Sequence, residues 1–411
     1  MEFQTHTLAN GIRIIHKQTN RSVSHCGIVI NSGSRDELVG EQGLAHFIEH
    51  GLFKGTTKRK THHILNRLDV VGGELNASTS KEDTWIHASF LNKHYDRAIE
   101  LISDIVLNST FPEKEMEKEK DVIIDEINSY LDSAEDTIFD EFESMIFSGH
   151  SLGTPILGTV DSVRDLSSND ALTMINRCFQ TDQIVFSSVG DLPFEKIIKL
   201  TNKYFGSVEP NIGSTKRQGF TSYKPTHIEK KKDTYQVHYL LGNLAYNETH
   251  PNKTGLILLN NYLGGPSMNN KLSMNIREKH GLAYNIESSY VSYQDTGFFS
   301  IYLGTDQKFF KKSKKLIYKE LKSLRETRLG TMQLHRAKQQ LIGQIALGQD
   351  SGLGSMLALG KSLLVYNKID TIEEIYKRIE RISSSELLEI SNEIFEESQL
   401  SSLAYMNDLK S

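Results

Sequence analysis

The predicted elements occur twice in the same order, and this recurrence limits the fold more than any other feature of the chain. A hairpin comes first: residues 5–8, a turn at Asn10-Gly11, then residues 12–16. Asn-Gly tolerates the positive φ angles of a tight hairpin turn. Residues 24–31 read as a strand, 43–53 and 61–71 as two short helices, and 74–80 and 84–90 as two more strands. Long helices follow, the first with Ala98, Leu101, Ile102 and Ile105 on one stripe. The order then repeats: a strand near 235–241, helices near 251–263 and 268–279, strands near 284–290 and 296–303, long helices to about residue 395, and a last strand near 401–405. The expected fold is α+β: two structurally similar domains, each an antiparallel sheet with helices packed on one face. Residues 1–206 form the first domain, 207–233 a linker containing Pro210, Gly213, Pro225 and Lys230-Lys231-Lys232, and 234–411 the second. A chain of 411 residues suits two domains of about 200 each.

Composition serves mainly to exclude. Lys plus Arg (47) against Asp plus Glu (52) leaves a net charge of −5, which gives no argument for nucleic acid. No apolar run approaches the ~18–20 residues of a membrane span. Cys26 and Cys178 can build neither a disulfide framework nor a Cys-rich metal site. The opening MEFQTHTLANGIRIIHK lacks the basic-then-apolar form of an export signal, so a cytoplasmic location is expected.

Chemistry is concentrated in residues 43–55, GLAHFIEHGLFKG. His46 and His50 stand four apart on a predicted helix, so both imidazoles project from one face and can bind one metal ion. Glu49 lies three after His46, completing an H-x-x-E-H pattern, the inverted zincin order. In a chain with 15 histidines this pattern arises by chance on the order of 0.04 times. Two histidines and a glutamate could form a solvated face, but Leu44, Phe47, Ile48, Leu52 and Phe53 make the segment apolar, and polar groups there need partners. Neutral imidazoles suit Zn²⁺. Glu49 would act as general base, taking the proton of a zinc-bound water and passing it to the leaving amine. Downstream, Glu119 and Glu126 are seven apart on a long predicted helix and share a face. Glu126 follows Val122-Ile123-Ile124 and is expected on the buried side; spacing alone does not make it a ligand.

These residues carry a resemblance. Gly33-Ser34-Arg35-Asp36-Glu37, Gly43 to His50, Phe53-Lys54-Gly55-Thr56, Gly72 to Ser80 and Val122 to Ile127 are similar to the inverzincin family of pitrilysin, insulin-degrading enzyme and mitochondrial processing peptidase. The likeness covers nearly the whole chain. Gly51 departs from it, standing where a Met is common. The resemblance implies that Glu126 is the third zinc ligand, that Glu119 one heptad earlier supports the site, and that Asn76 and Ala77 lie on an edge strand to which a peptide substrate adds. It also implies that Arg277 and Tyr284 bind substrate near the zinc, the Tyr hydroxyl donating to a developing oxyanion and the Arg gripping a carbonyl or carboxylate.

The expectation is therefore a zinc-dependent endopeptidase with one Zn²⁺ per chain, a peptide substrate, and no nucleic-acid or membrane partner. Long members of the family carry four such domains around a closed chamber. A two-domain chain implies a homodimer, with Arg277 and Tyr284 serving the partner's zinc. Two other readings share these residues: a non-catalytic core-type assembly subunit and a peptide-binding protein. Chains of the first kind usually lose the H-x-x-E-H motif or the Glu ligand, and this one keeps both.

Overall fold

The strand patterns build two mixed sheets in the computed structural model, which describes residues 3–213 and 216–407. The chain forms two compact units. In unit 1, strands β1 (Gln4–Thr7), β2 (Arg13–Gln18), β3 (Val23–Ile30), β4 (Glu74–Thr79), β5 (Thr84–Leu91) and β6 (Ile184–Gly190) form one sheet in the order β1-β2-β6-β3-β5-β4. The hairpin pairs as expected, Thr5 opposite Ile15. Its helices are α1 (Leu44–Gly51), α2 (Thr61–Asp69), α3 (Tyr95–Asn108), most of α4 (Glu113–Asp132), and others described below. Alternate strand residues face opposite sides of the sheet. Ile28, Ile30, Ile86 and Phe186 join the main core with Leu44, Phe47, Ile48 and Ile102 of α1 and α3.

Unit 2 holds a five-stranded sheet ordered β7-β11-β8-β10-β9, from β7 (His227–Lys232), β8 (Val237–Ala245), β9 (Asn285–Ser292), β10 (Gly297–Thr305) and β11 (Ser401–Asn407). Tyr239, Leu241, Phe299 and Ile301 pack on one face with Leu256, Leu259, Ile317 and Ile390. The α+β class and the two similar units are as expected from the recurrence.

The sheets and units depart from expectation in four respects. Each sheet contains one parallel pair, β2 with β6 and β7 with β11. Each sheet is also covered on its second face. In unit 1, Ile15, Val29, Trp85 and Val185 pack against Met356 and Leu363 of a helix at Gly352–Tyr366. A Cβ on Gly360 would lie 2.5 Å from the Trp85 ring, so glycine permits this close approach. In unit 2, Leu240, Tyr302 and Leu403 pack against Ile138, Phe142 and Ile146 of a helix at Ala134–Ile146. Every residue of β6 and of β10 is therefore buried, and a strand covered on both faces loses the alternation that marks a half-buried one. Of these two strands, β6 was not among those expected.

Third, the units are not divided at one linker. Unit 1 comprises Met1–Asn128, Thr154–Gln218 and Leu347–Ile369; unit 2 comprises Ser129–Gly153, Gly219–Ala346 and Asp370–Ser411. Each half of the chain thus lends one helix to the unit built mainly from the other half. Fourth, the segment 207–233 is not a free connection. Arg217 is buried against Asp36, its Nε 2.9 Å from Oδ1. Lys230 pairs with Glu141 at 2.6 Å and the Lys232 ammonium lies 4.2 Å from the centre of the Tyr405 ring, both on β7. Lysines on an edge strand discourage pairing with another chain and read as a solvated run in sequence. Among the described residues, no helix is long and apolar enough to cross a membrane.

Candidate metal centre

The site is built from α1, the part of α4 that belongs to unit 1, and the end of β4. Gly43 precedes α1 with φ +88°, in the left-handed region that glycine occupies without strain. The Glu37 carboxylate accepts from Gly43 N at 3.1 Å and Ala45 N at 2.9 Å, occupying the helix N-terminus. Burial pushes the Glu37 carboxyl up to about 8, and these two N–H groups work against that rise. Gly51 has a local reason: a Cβ there would meet the Phe111 ring at 2.4 Å. The space a longer side chain would need is taken by Phe111.

His46 is buried and His50 partly buried, their rings 4.6 Å apart. Burial, and then the neighbouring His50, pushes His46 down to about 4, so its imidazole is neutral at ordinary pH. Glu126 Oε2 stands 3.8 Å from His46 Nε2 and 3.5 Å from His50 Nε2. The three residues offer one ligand atom each, all within 4.8 Å of one another. Ligand atoms about 2.0–2.1 Å from a tetrahedral zinc lie roughly 3.3 Å apart, so the set fits that ion. The chemistry of the donors fits as well. His50 Nδ1 lies 2.8 Å from Glu119 Oε1; with the proton on that nitrogen, Nε2 turns a lone pair toward the Glu126 carboxylate. Converging acceptors repel one another unless a cation holds them. His46 Nδ1 is buried without a hydrogen-bond partner.

Glu126 is not on the buried side of α4. That stripe is Met116, Glu119, Ile123 and Ile127, and the Glu126 side chain is 48% exposed, on the flank that meets the two histidines. Glu119 is the buried carboxylate. Its other oxygen receives Lys54 Nζ at 2.5 Å, giving a chain from Lys54 to Glu119 to His50. Nothing local in the sequence marks this role of Lys54. Lys54 offsets the Glu119 charge and holds the carboxylate that orients the His50 ring. Glu119→Ala is expected to weaken zinc binding about 10–100-fold, read by competition with a chelating dye, with Lys54→Met moving it the same way by less. Unchanged affinity in both would remove them from the site.

Glu49 lies on α1 beside the ligand set without joining it. Burial pushes its carboxyl above the usual range, opposed by the neighbouring Thr79 and by His50. Thr79 ends β4, the outermost strand of its sheet, paired only with β5. Asn76 and Ala77 lie on this strand, Asn76 exposed and Ala77 packed against the core. The open edge of β4 therefore runs to the general-base candidate. Arg277 and Tyr284 belong to unit 2. Arg277 lies in a π-helix at Ser273–Glu278, where a helix over 268–279 was expected, and pairs with Glu278 at 3.0 Å. Tyr284 is 62% exposed and its hydroxyl donates to Asp306 at 3.2 Å. Of the remaining histidines and aromatics, His62 and His63 are exposed and Trp85 is core.

Residues 13–160 match the family described as Insulinase (Peptidase family M16), and residues 165–341 match the Peptidase M16 inactive domain. The chain is 33% identical over 394 residues to an uncharacterized zinc protease of Bacillus subtilis (strain 168), covering 95% of both chains. It is 31% identical over 394 residues to an uncharacterized zinc protease of Mycobacterium leprae, covering 94% of this chain and 88% of that one. Among solved structures, a protease from Helicobacter pylori aligns with TM-score 0.89 at 20% identity, over 98% of this chain and 99% of that one. The peptidase M16 inactive domain from Pseudomonas fluorescens aligns with TM-score 0.92 at 16% identity, over 100% and 99%. At these identities the two structures speak for the fold.

Proposed function

The chain belongs to the insulinase family of peptidases, family M16, and from that premise we propose that it is a zinc-dependent endopeptidase cleaving unfolded peptides inside a chamber closed by two copies of itself. The observation that carries the reading is the convergence of His46, His50 and Glu126 with Glu49 beside them and outside the ligand set. Zinc, when bound, supplies a Lewis acid that makes water nucleophilic near neutral pH. His46, His50 and Glu126 hold the ion, and Glu119 with Lys54 orients the His50 ring. Glu49 takes a proton on its carboxylate and delivers it to the leaving nitrogen; a carboxyl raised by burial is better matched to that task than an ordinary one. The free edge of β4 pairs with the peptide backbone, which makes little demand on sequence.

Tyr284 and Arg277 act on the partner's site in this proposal, Tyr284 donating its hydroxyl hydrogen to the developing oxyanion. Hydrolysis of a fluorogenic peptide should stop with a chelator and return with zinc; a zinc-free chain at full rate would refute it. The trans arrangement is tested by mixing Glu49→Gln and Tyr284→Phe chains. With free subunit exchange, half of the dimers are mixed and each has one intact site, so about a quarter of wild-type activity should appear. No recovery despite exchange would place Tyr284 in its own chain's site or outside catalysis.

A further inference from the structure

The sequence leaves peptide preference open, but the groove at the start of the edge strand has a definite chemistry. It lies between α2 and β4, with a volume of about 430 Å³, within the range of ligand pockets. Leu65, Leu68 and Leu75 give it apolar walls, and Asp69 and Glu74 stand among the lining residues. Both carboxylates are exposed. Among the described residues neither has an ion pair or a side-chain hydrogen bond; Glu74 acts electrostatically on His25 without pairing with it. The nearby basic groups are engaged elsewhere, Arg67 with Glu100, while Arg97 donates to the Arg67 carbonyl. Asp69 is the last residue of α2, where a negative charge opposes the helix dipole and costs stability. Glu74 opens a strand, a position for which Glu has low propensity. Local structure accounts for neither.

The groove is continuous with the edge that leads to the metal centre. From Leu75 to Thr79, beside Glu49, is four residues of strand, roughly 13 Å. We propose that this groove is a side-chain pocket for a lysine or arginine of the bound peptide, about four residues to one side of the bond that is cut. The leucines take the aliphatic stem and the two carboxylates take the cationic head, the division that long basic side chains make at apolar surfaces with a polar rim. The proposal rests on the peptidase reading, because it needs a peptide strand on β4.

Binding and cleavage separate the two. Labelled peptides alike except for one Lys, Glu or Leu, moved through successive positions, are titrated by fluorescence anisotropy onto the zinc-loaded Glu49→Gln chain. At one position Lys should bind roughly fivefold tighter than Leu, as expected for ion pairs at a half-open site, and Glu more weakly than Leu. Asp69→Asn/Glu74→Gln should erase the Lys advantage while leaving the Leu peptide unchanged, and Asp69→Lys/Glu74→Lys should transfer the preference to Glu. Equal binding of Lys and Leu at every position, or a Lys preference untouched by both double variants, overturns the pocket. Wild-type cleavage of the same peptides tests the parent reading by itself: peptides bound with the expected preference and never cut would leave the pocket standing and remove the peptidase.

Discussion

Glu49→Gln is expected to lower kcat for peptide cleavage by about 10²–10⁴-fold while zinc stays at one per chain. The amide has the shape of the carboxylate but cannot accept and return a proton. His46, His50 and Glu126 form the ligand set without Glu49, so the ion should be held as before. KM should change little, because the lost interaction belongs to the transition state. Steady-state kinetics on a fluorogenic peptide and metal content by atomic absorption decide the matter together. Wild-type kcat in the variant would remove Glu49 as the base; loss of zinc would make it a ligand. Thr79→Val is a milder companion. It takes away the hydroxyl of the residue that opposes the rise of the Glu49 carboxyl, and its effect should fall on the acid limb of the pH–kcat profile.

The legible part of this site is the part in which neighbours in space are neighbours in sequence. His46, Glu49 and His50 lie within one turn of α1, so a helix and a four-residue spacing suffice to place two ligands and a base. Glu126 lies on another helix and was identified by resemblance. Residue-level reading put it on the buried side, yet the buried carboxylate is Glu119 and Glu126 sits on the flank. A ligand must reach the ion, and that requirement outweighs the apolar neighbours Ile123 and Ile124. Lys54 left no local sign, because its partner Glu119 is 65 positions away and the pairing exists only once α4 packs beside α1.

The same limit applies to the fold. Strand patterns gave two sheets, but a helix pattern states which face is apolar and not which sheet that face will meet. The helix at Gly352–Tyr366 packs on the sheet built from the first half of the chain, and Ala134–Ile146 on the sheet built from the second. Neither destination is encoded in local periodicity. The β7 strand was hidden for the opposite reason: its lysines suit an edge, and edges are where strands look least like strands.

His46→Ala should remove both the metal and the activity. Structural zinc sites bind with roughly 10–16 kcal/mol over four ligands, so one ligand is worth about 3 kcal/mol, or two orders of magnitude in affinity. His46 is the ligand least able to be replaced: it is buried at 7% exposure, and water cannot readily take its place in an apolar helix face. The half-exposed Glu126 is different, since Glu126→Gln leaves a side-chain oxygen in reach, and it should lose less. Zinc bound only to the folded chain raises stability by about 2.7 kcal/mol at 100 times its dissociation constant, so the wild-type Tm should rise with added zinc. The His46→Ala chain should show no such rise at the same concentration, while matching the zinc-free wild type in Tm. That match separates loss of the ion from damage to α1. A variant that melts well below the zinc-free wild type has lost the helix, and one that still gains Tm and cleaves peptide with zinc would take His46 out of the ligand set.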